Sequence, residues 1–442
     1  MAVEDYNALE GISAFVYLLL GVITLILSRR TKNNSWNEKY AAILFGWYLI
    51  FIGLRTFGGY LAGGSVDVSD WISDASEMTV WITTSARISI PIMIALIFPY
   101  PFLQNKNSII ISGIFTLIFT ICLSGTYIFS DQYGFIIFRF VRNIPLLIWG
   151  FVFVRFSIRE LLMEEEEARI ISSSAGLLIF ALGGVRIVDW LFWLVMPDRW
   201  IVAQDLRLTA SIEDFNMGAY LLSRTMELSI AVSASMTIFI FESYRNYRKG
   251  SSLLSSISHI FLMIGIISFF VNLSVLDDID KCVYDVCQGL PDSWIIYNTF
   301  TNNLAYFLVQ PLIIMYVLLN YSLLDTKTDK NGTLARTMVI LMVVIVSSTI
   351  TEMIQAIVPI GDMITSGIMA LGIAAAIGWE EKIMKRLLSF QESVNEYLEE
   401  LNEIVIFEPD MKQIKQFSSI MFIIIIYDIL MSIIHASLKL GF

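Results

Sequence analysis

Apolar residues in this chain fall in long unbroken blocks. Twelve of them are read at about 10–28, 40–63, 77–99, 108–129, 134–156, 170–196, 217–241, 255–275, 298–323, 335–358, 360–379 and 417–438. About 20 consecutive apolar residues carry a helix across the hydrocarbon core of a bilayer. The blocks show no two-residue alternation, so they predict spanning helices and not barrel strands. The expected fold is all-α, a polytopic helical membrane protein with about twelve transmembrane helices. Its expected organisation is a first membrane bundle over 1–249, a second over 250–379, an amphipathic cytoplasmic helix within 380–416 and a final span in 417–442.

The polar positions between the blocks orient the chain. The opening segment "MAVEDYNALEG" is acidic and lacks the basic start of a signal peptide, whereas Arg29, Arg30 and Lys32 follow the first block. Basic residues in short loops mark the cytoplasmic side. With the N-terminus outside, nineteen basic residues fall in inner segments and only Arg199, Arg207, Lys281 and Lys439 in outer ones. Twelve spans then leave both termini extracytoplasmic, in a multi-pass cell-membrane protein. The outer segments, such as "GGSVDVSDWISDASE" and "LDDIDKCVYDVC", are acidic.

Six arginines lie well inside the blocks, away from their cytoplasmic edges: Arg55, Arg87, Arg139, Arg142, Arg186 and Arg224. A basic side chain at the centre of a spanning helix costs about 2.5–3.5 kcal/mol on insertion scales, so such residues face the bundle interior. Counted along each helix, all six fall at the midplane or in the outer half. Asp189 and Glu227 follow Arg186 and Arg224 by three residues, which puts each pair on one helix face. Glu352, Asp362, Asp428, His435, Asn302 and Asn303 fall in outer halves as well. The pattern predicts an outward-facing polar pocket. Arg186–Asp189 and Arg224–Glu227 are expected to neutralise one another, leaving Arg55, Arg87, Arg139 and Arg142 to meet a ligand. A guanidinium fork matches carboxylate or phosphate, so the expected ligand is an anionic small molecule or a lipid headgroup. The competing reading is interhelical pairing with acids of other spans. Glu352 and Asp428 are candidate proton-relay groups.

Composition narrows the classes. The chain is 56% hydrophobic and only 16% charged, with a net charge of −11. A nucleic-acid partner needs a basic face, which this balance disfavours. Two histidines, His259 and His435, read on opposite sides, rule out a histidine-rich metal site or a bis-histidine haem. Asp277, Asp278 and Asp280 lack the spacing of a calcium loop. Neither a Walker A loop nor a nucleophile elbow occurs. No cofactor, metal site or reaction is therefore expected, although an acid-only site built on Asp189, Glu227, Glu352 or Asp428 stays open. Cys282 and Cys287 are a candidate disulfide in one outer loop, and Cys122 is expected to pack as a small apolar residue.

Several local features add expectations. Pro91, Pro145 and Pro311 should kink their spans. Gly183-Gly184, in "GGVRIVDW", allows a local break or a close helix approach. Trp71, Trp190, Trp193, Trp200 and Trp294 fit an outer aromatic belt. Met384, Leu387, Val394, Leu398, Leu401 and Val405 recur at helical spacing. That stripe suits packing on the chain's own spans, a homo-oligomeric coiled coil through 380–408, or a cytoplasmic protein partner. The segment "RFSIRELLMEEEEARII" at 155–171 is read as a solvated helical extension. It formally matches the Glu-Glu-x-x-x-Arg pattern of CAAX-type membrane proteases at Glu164, Glu165 and Arg169. We reject that match because an acidic run supplies it and the histidine partners are missing.

The stretch "PLIIMYVLLNYSLLDTK" at 311–327 resembles the segment that closes the multi-span sensor regions of some histidine kinases. The resemblance implies a sensor, but three further apolar blocks follow where that family places its phosphoacceptor helix. The leading expectation is binding and transport of an anionic or amphiphilic small molecule. The alternatives are a receptor or sensor signalling through the cytoplasmic helix, and a transferase acting on lipid-linked substrates.

Overall fold

The computed structural model describes residues 6–31, 35–62, 68–129, 131–200, 217–250, 252–284, 309–321, 323–324, 329–357, 394–401, 403 and 410–439, together with positions 291, 294, 297 and 301. About 90% of it is helical, and no strand occurs among the described residues. The helices, in chain order, are α1 (Tyr6–Arg30), α2 (Trp36–Ala62), α3 (Asp70–Ile97), α4 (Lys106–Phe129), α5 (Asp131–Arg142), α6 (Ile144–Met163), α7 (Ala168–Gly183) and α8 (Trp190–Val195). They continue as α9 (Met217–Lys249), α10 (Leu253–Ser274), α11 (Leu276–Tyr284), α12 (Gln310–Asn320), α13 (Asp329–Ile357), α14 (Val394–Glu400) and α15 (Met411–Lys439).

Among the described residues, nine helical stretches are long and apolar enough to cross a membrane. They match nine of the twelve blocks. The block at 360–379 lies outside the described residues. Of the block at 298–323, α12 is the described helix, a short apolar one. The block at 170–196 is not one continuous helix. It runs as α7 to Gly183, tightens into a 3-10 turn over Gly184–Ile187 and restarts as α8. Close packing requires glycine at the turn: a Cβ on Gly184 would come within 2.8 Å of the Phe261 ring.

Pro145 acts as expected. The helix breaks at Asn143, and Pro145 occupies the first turn of α6, where a missing N–H costs nothing. Pro91 lies inside α3, whose helix runs on through it. Pro311 is the second residue of α12.

The chain divides into two compact units, Met1–Gly134 with Ile314–Phe442, and Phe135–Ile313. In the first, α1 packs on α2, α2 on α3, and α15 on α3 and α4. The α1–α2 contact is close because it is built on glycine. A Cβ on Gly21 would lie 2.8 Å from the carbonyl oxygen of Gly46 and 2.9 Å from the amide nitrogen of Ile50. Small residues allow such backbone approach where no water is available to drive association. At one end of this hairpin the Ser35 hydroxyl donates to the Glu38 carboxylate at 3.0 Å, and the buried Lys39 donates to the Thr31 carbonyl at 2.6 Å. In the second unit α6 packs on α7, and α9 lies against α6, α7, α10 and the 3-10 turn.

Candidate functional site

Arg139 and Arg142 occupy the last turn of α5, where the helix C-terminus favours positive charge. The chain turn at Asn143, whose side-chain amide donates to the Arg139 carbonyl at 2.8 Å, holds them there. Both guanidinium groups converge on Glu227 of α9. Arg142 forms an ion pair with it, and the Arg139 Nε lies 3.8 Å from its carboxylate. The Glu227 side chain is 1% exposed and that of Arg142 is 24% exposed, so the arrangement reaches from a buried acid toward the surface of its unit.

This corrects two expectations. Arg139 and Arg142 are not left for a ligand alone, because an acid of another helix meets them. Glu227 does not serve only the arginine three residues before it in sequence. The Arg224 and Arg186 side chains lie outside the described residues, as do those of Glu352, Cys282 and Cys287, and Asp362, Asn302 and Asn303 altogether.

Asp189 is the N-cap residue of α8, two residues beyond the 3-10 turn. It accepts a hydrogen bond from Ser268 of α10. The Asn272 amide donates to the Ser268 hydroxyl and carbonyl at 3.3 and 2.8 Å, and the indole of Trp294 donates to Asn272 at 2.9 Å. Ser268 and Asn272 were missed in the sequence because neutral polar residues in an apolar block carry no charge signal, and Trp294 was read only as a belt residue. The spacing of 268 and 272 does place those two one turn apart on one face. Trp294 and Trp200 are buried, at 3% and 2% exposure, and so do not form an aromatic belt. Trp71 is exposed, as a belt residue would be.

Arg55 and Arg87 belong to the first unit, and Arg139, Arg142, Asp189 and Glu227 to the second. Arg55 donates to Thr84 of α3 at 3.1 Å, and Arg87, also on α3, is half-buried. Asp428 is buried on α15. Its neighbour one turn on, Ser432, is hydrogen-bonded to Thr79 of α3 at 3.0 Å. His435 is half-buried on the same helix, and Lys439 pairs with Asp74 and Glu77 at 3.0 and 2.8 Å. Cys122 is exposed rather than packed inside.

A further charged cluster lies where a solvated extension was expected. Glu160 of α6 is 1% exposed and is ion-paired with Arg245 of α9, which also pairs with Glu242 one turn earlier. Ser157 and Ser172 reach the same guanidinium at 3.5 and 3.2 Å, and Ser252, the N-cap of α10, donates to Glu242 at 2.7 Å. Elsewhere in 155–171, Ile158, Leu162, Met163, Glu164 and Glu166 are exposed, while Phe156, Ser157, Ala168 and Ile171 are buried. Glu165 is paired with Arg159 at 2.6 Å, which gives the protease-like acid a structural partner. Of the amphipathic stripe, Val394 and Leu398 are fully buried and Leu401 is half-buried, while Met384, Leu387 and Val405 lie outside the described residues. Beside it, Glu403 accepts a hydrogen bond from Tyr100 at 3.1 Å.

The described residues hold no group of three or more metal-ligating side chains. They define a class: an all-α chain of multi-pass membrane character, with buried ion pairs between some of its helices. No protein-family model, characterised protein or solved structure matches the chain.

Proposed function

We propose that this protein binds an anionic or amphiphilic small molecule in the membrane and carries it across. The supporting observation is the convergence of Arg139 and Arg142 on Glu227. Two guanidinium groups held at one carboxylate present fork-shaped donors to an oxyanion that competes for them. Arg142 is the group exposed enough to be reached. Asp189, with its line of neutral hydrogen-bonding side chains, supplies polar lining in the same unit. In this reading twelve spans place both termini outside, and the pocket opens on the acidic, extracytoplasmic face. The buried stripe at Val394 and Leu398 favours this over a sensor that docks a partner through the same residues.

The test is efflux of carboxyfluorescein, an anionic amphiphile, from vesicles containing the purified protein. We expect efflux above that of protein-free vesicles, loss of it in Arg139→Gln/Arg142→Gln, and partial retention in Arg142→Lys. Efflux equal to protein-free vesicles, together with no binding of the dye by fluorescence anisotropy, would overturn the proposal.

A further inference from the structure

A groove of about 840 Å³ lies in the first unit between α1 and α15. Its size falls within the roughly 300–1,000 Å³ of small-molecule sites. Residues one helical turn apart build the walls: Val22 and Ile26 from α1, and Phe422 from α15. All three are exposed, so the open side of the groove is apolar and would face hydrocarbon. Trp47 of α2 and Ile414 form the buried floor, at 5% and 4% exposure.

One end of the groove is cationic. Arg29, in the last turn of α1, and Lys415, in the second turn of α15, both line it. The two helices run in opposite directions, which brings these residues to the same end. Both are exposed, and neither makes an ion pair with a described carboxylate.

Two polar atoms on lining side chains have no partner among the described residues. The Trp47 Nε1 and the Ser418 Oγ are buried without a hydrogen bond, on side chains that line the groove. Buried donors are ordinarily satisfied, and leaving one unmade is costly. An occupant with acceptor oxygens would satisfy both. Ser418 lies three residues beyond Lys415, about 4.5 Å further along the helix.

We infer that this groove is a binding site for an anionic phospholipid. The phosphate sits between Arg29 and Lys415, the ester oxygens accept from Trp47 and Ser418, and an acyl chain lies along the apolar walls. Cationic side chains at a membrane boundary attract anionic headgroups. A water-soluble anion would gain nothing from the exposed apolar walls. The site shares no residue with the arginine–glutamate convergence of the second unit, and its test does not depend on transport.

The full chain, purified in detergent, is offered equal amounts of phosphatidylglycerol and phosphatidylcholine, and bound lipid is counted by native mass spectrometry. We expect preferential retention of phosphatidylglycerol, and on the order of a tenfold loss of that preference in Arg29→Gln/Lys415→Gln. In a second measurement, one equivalent of phosphatidylglycerol with brominated acyl chains quenches tryptophan fluorescence of the unmodified protein. Quenching should be weaker in Trp47→Phe. Equal retention of the two lipids, an unchanged preference in the charge variant, or identical quenching in Trp47→Phe would each overturn the assignment. So would displacement of the lipid by millimolar inorganic phosphate, which would mark a headgroup-only anion site.

Discussion

Arg245 and Glu160 form an ion pair in which neither side chain reaches solvent. The pair joins α9 to α6, and the serines around it extend the tie to α7 and to the start of α10. Two carboxylates, Glu160 and Glu242, share the one guanidinium. Removing charges from solvent is expensive, and mutual attraction offsets it only when geometry and hydrogen bonds are complete. Such a group is more useful for fixing one arrangement of helices than for adding stability.

Removing one partner should therefore be severe. Arg245→Met leaves two buried carboxylates facing each other, and breaking a buried pair costs about 3–5 kcal/mol. We expect a large fall in the unfolding midpoint in detergent, or no folded protein. Replacing Arg245, Glu160 and Glu242 together with apolar residues of similar size should recover much of the loss. A midpoint for Arg245→Met equal to that of the unmodified chain would contradict the structural role.

Gly265 and Trp190 fix the approach of α10 to α8. A Cβ on Gly265 would fall 1.8 Å from the Trp190 indole nitrogen, so any larger residue displaces the ring. Gly265→Ala should be destabilised by about 1–3 kcal/mol, the usual range for overpacking. Trp190→Phe in the same chain should relieve part of it, because the smaller ring vacates the contested position. The check is a double-mutant cycle on unfolding midpoints. Strict additivity would mean that the two residues do not compete for that space.

Lys281 carries the pH prediction. Its amine donates to Asp278 at 2.9 Å on α11, which lies outside the nine membrane-spanning stretches. That hydrogen bond, then the Asp278 charge and, more weakly, that of Asp277, hold its pKa above the ordinary lysine value. A raised folded-state pKa means the pair's contribution is fully present below the unfolded value and is lost as pH rises through the folded one. The side chain is open to solvent, so added salt should weaken the effect. NMR titration of the labelled lysine should show the shift upward, and Asp278→Asn should bring it back. A Lys281 that titrates identically in both proteins would show that the pair does not form.

The sequence by itself determined the class and most of the spans. Long apolar blocks have one outcome in a bilayer, because backbone polar groups must be satisfied within each helix. Local chemistry also spoke for itself where it acts within a few residues, as at Asn143–Pro145. Pairing was different. Glu227 has an arginine three residues before it, yet the described structure brings it Arg142 and Arg139 from another helix. Glu160 stands in a charged stretch that reads as surface, yet it is buried because Arg245, distant in sequence, comes to meet it. Trp47 and Ser418 carry no signal at all until α1, α2 and α15 enclose a groove. Hydropathy is a sum over neighbours in the chain, and the sequence holds it directly. Which charges meet depends on helix rotation and approach, set by packing between residues that can be hundreds of positions apart, and only the tertiary structure decides that.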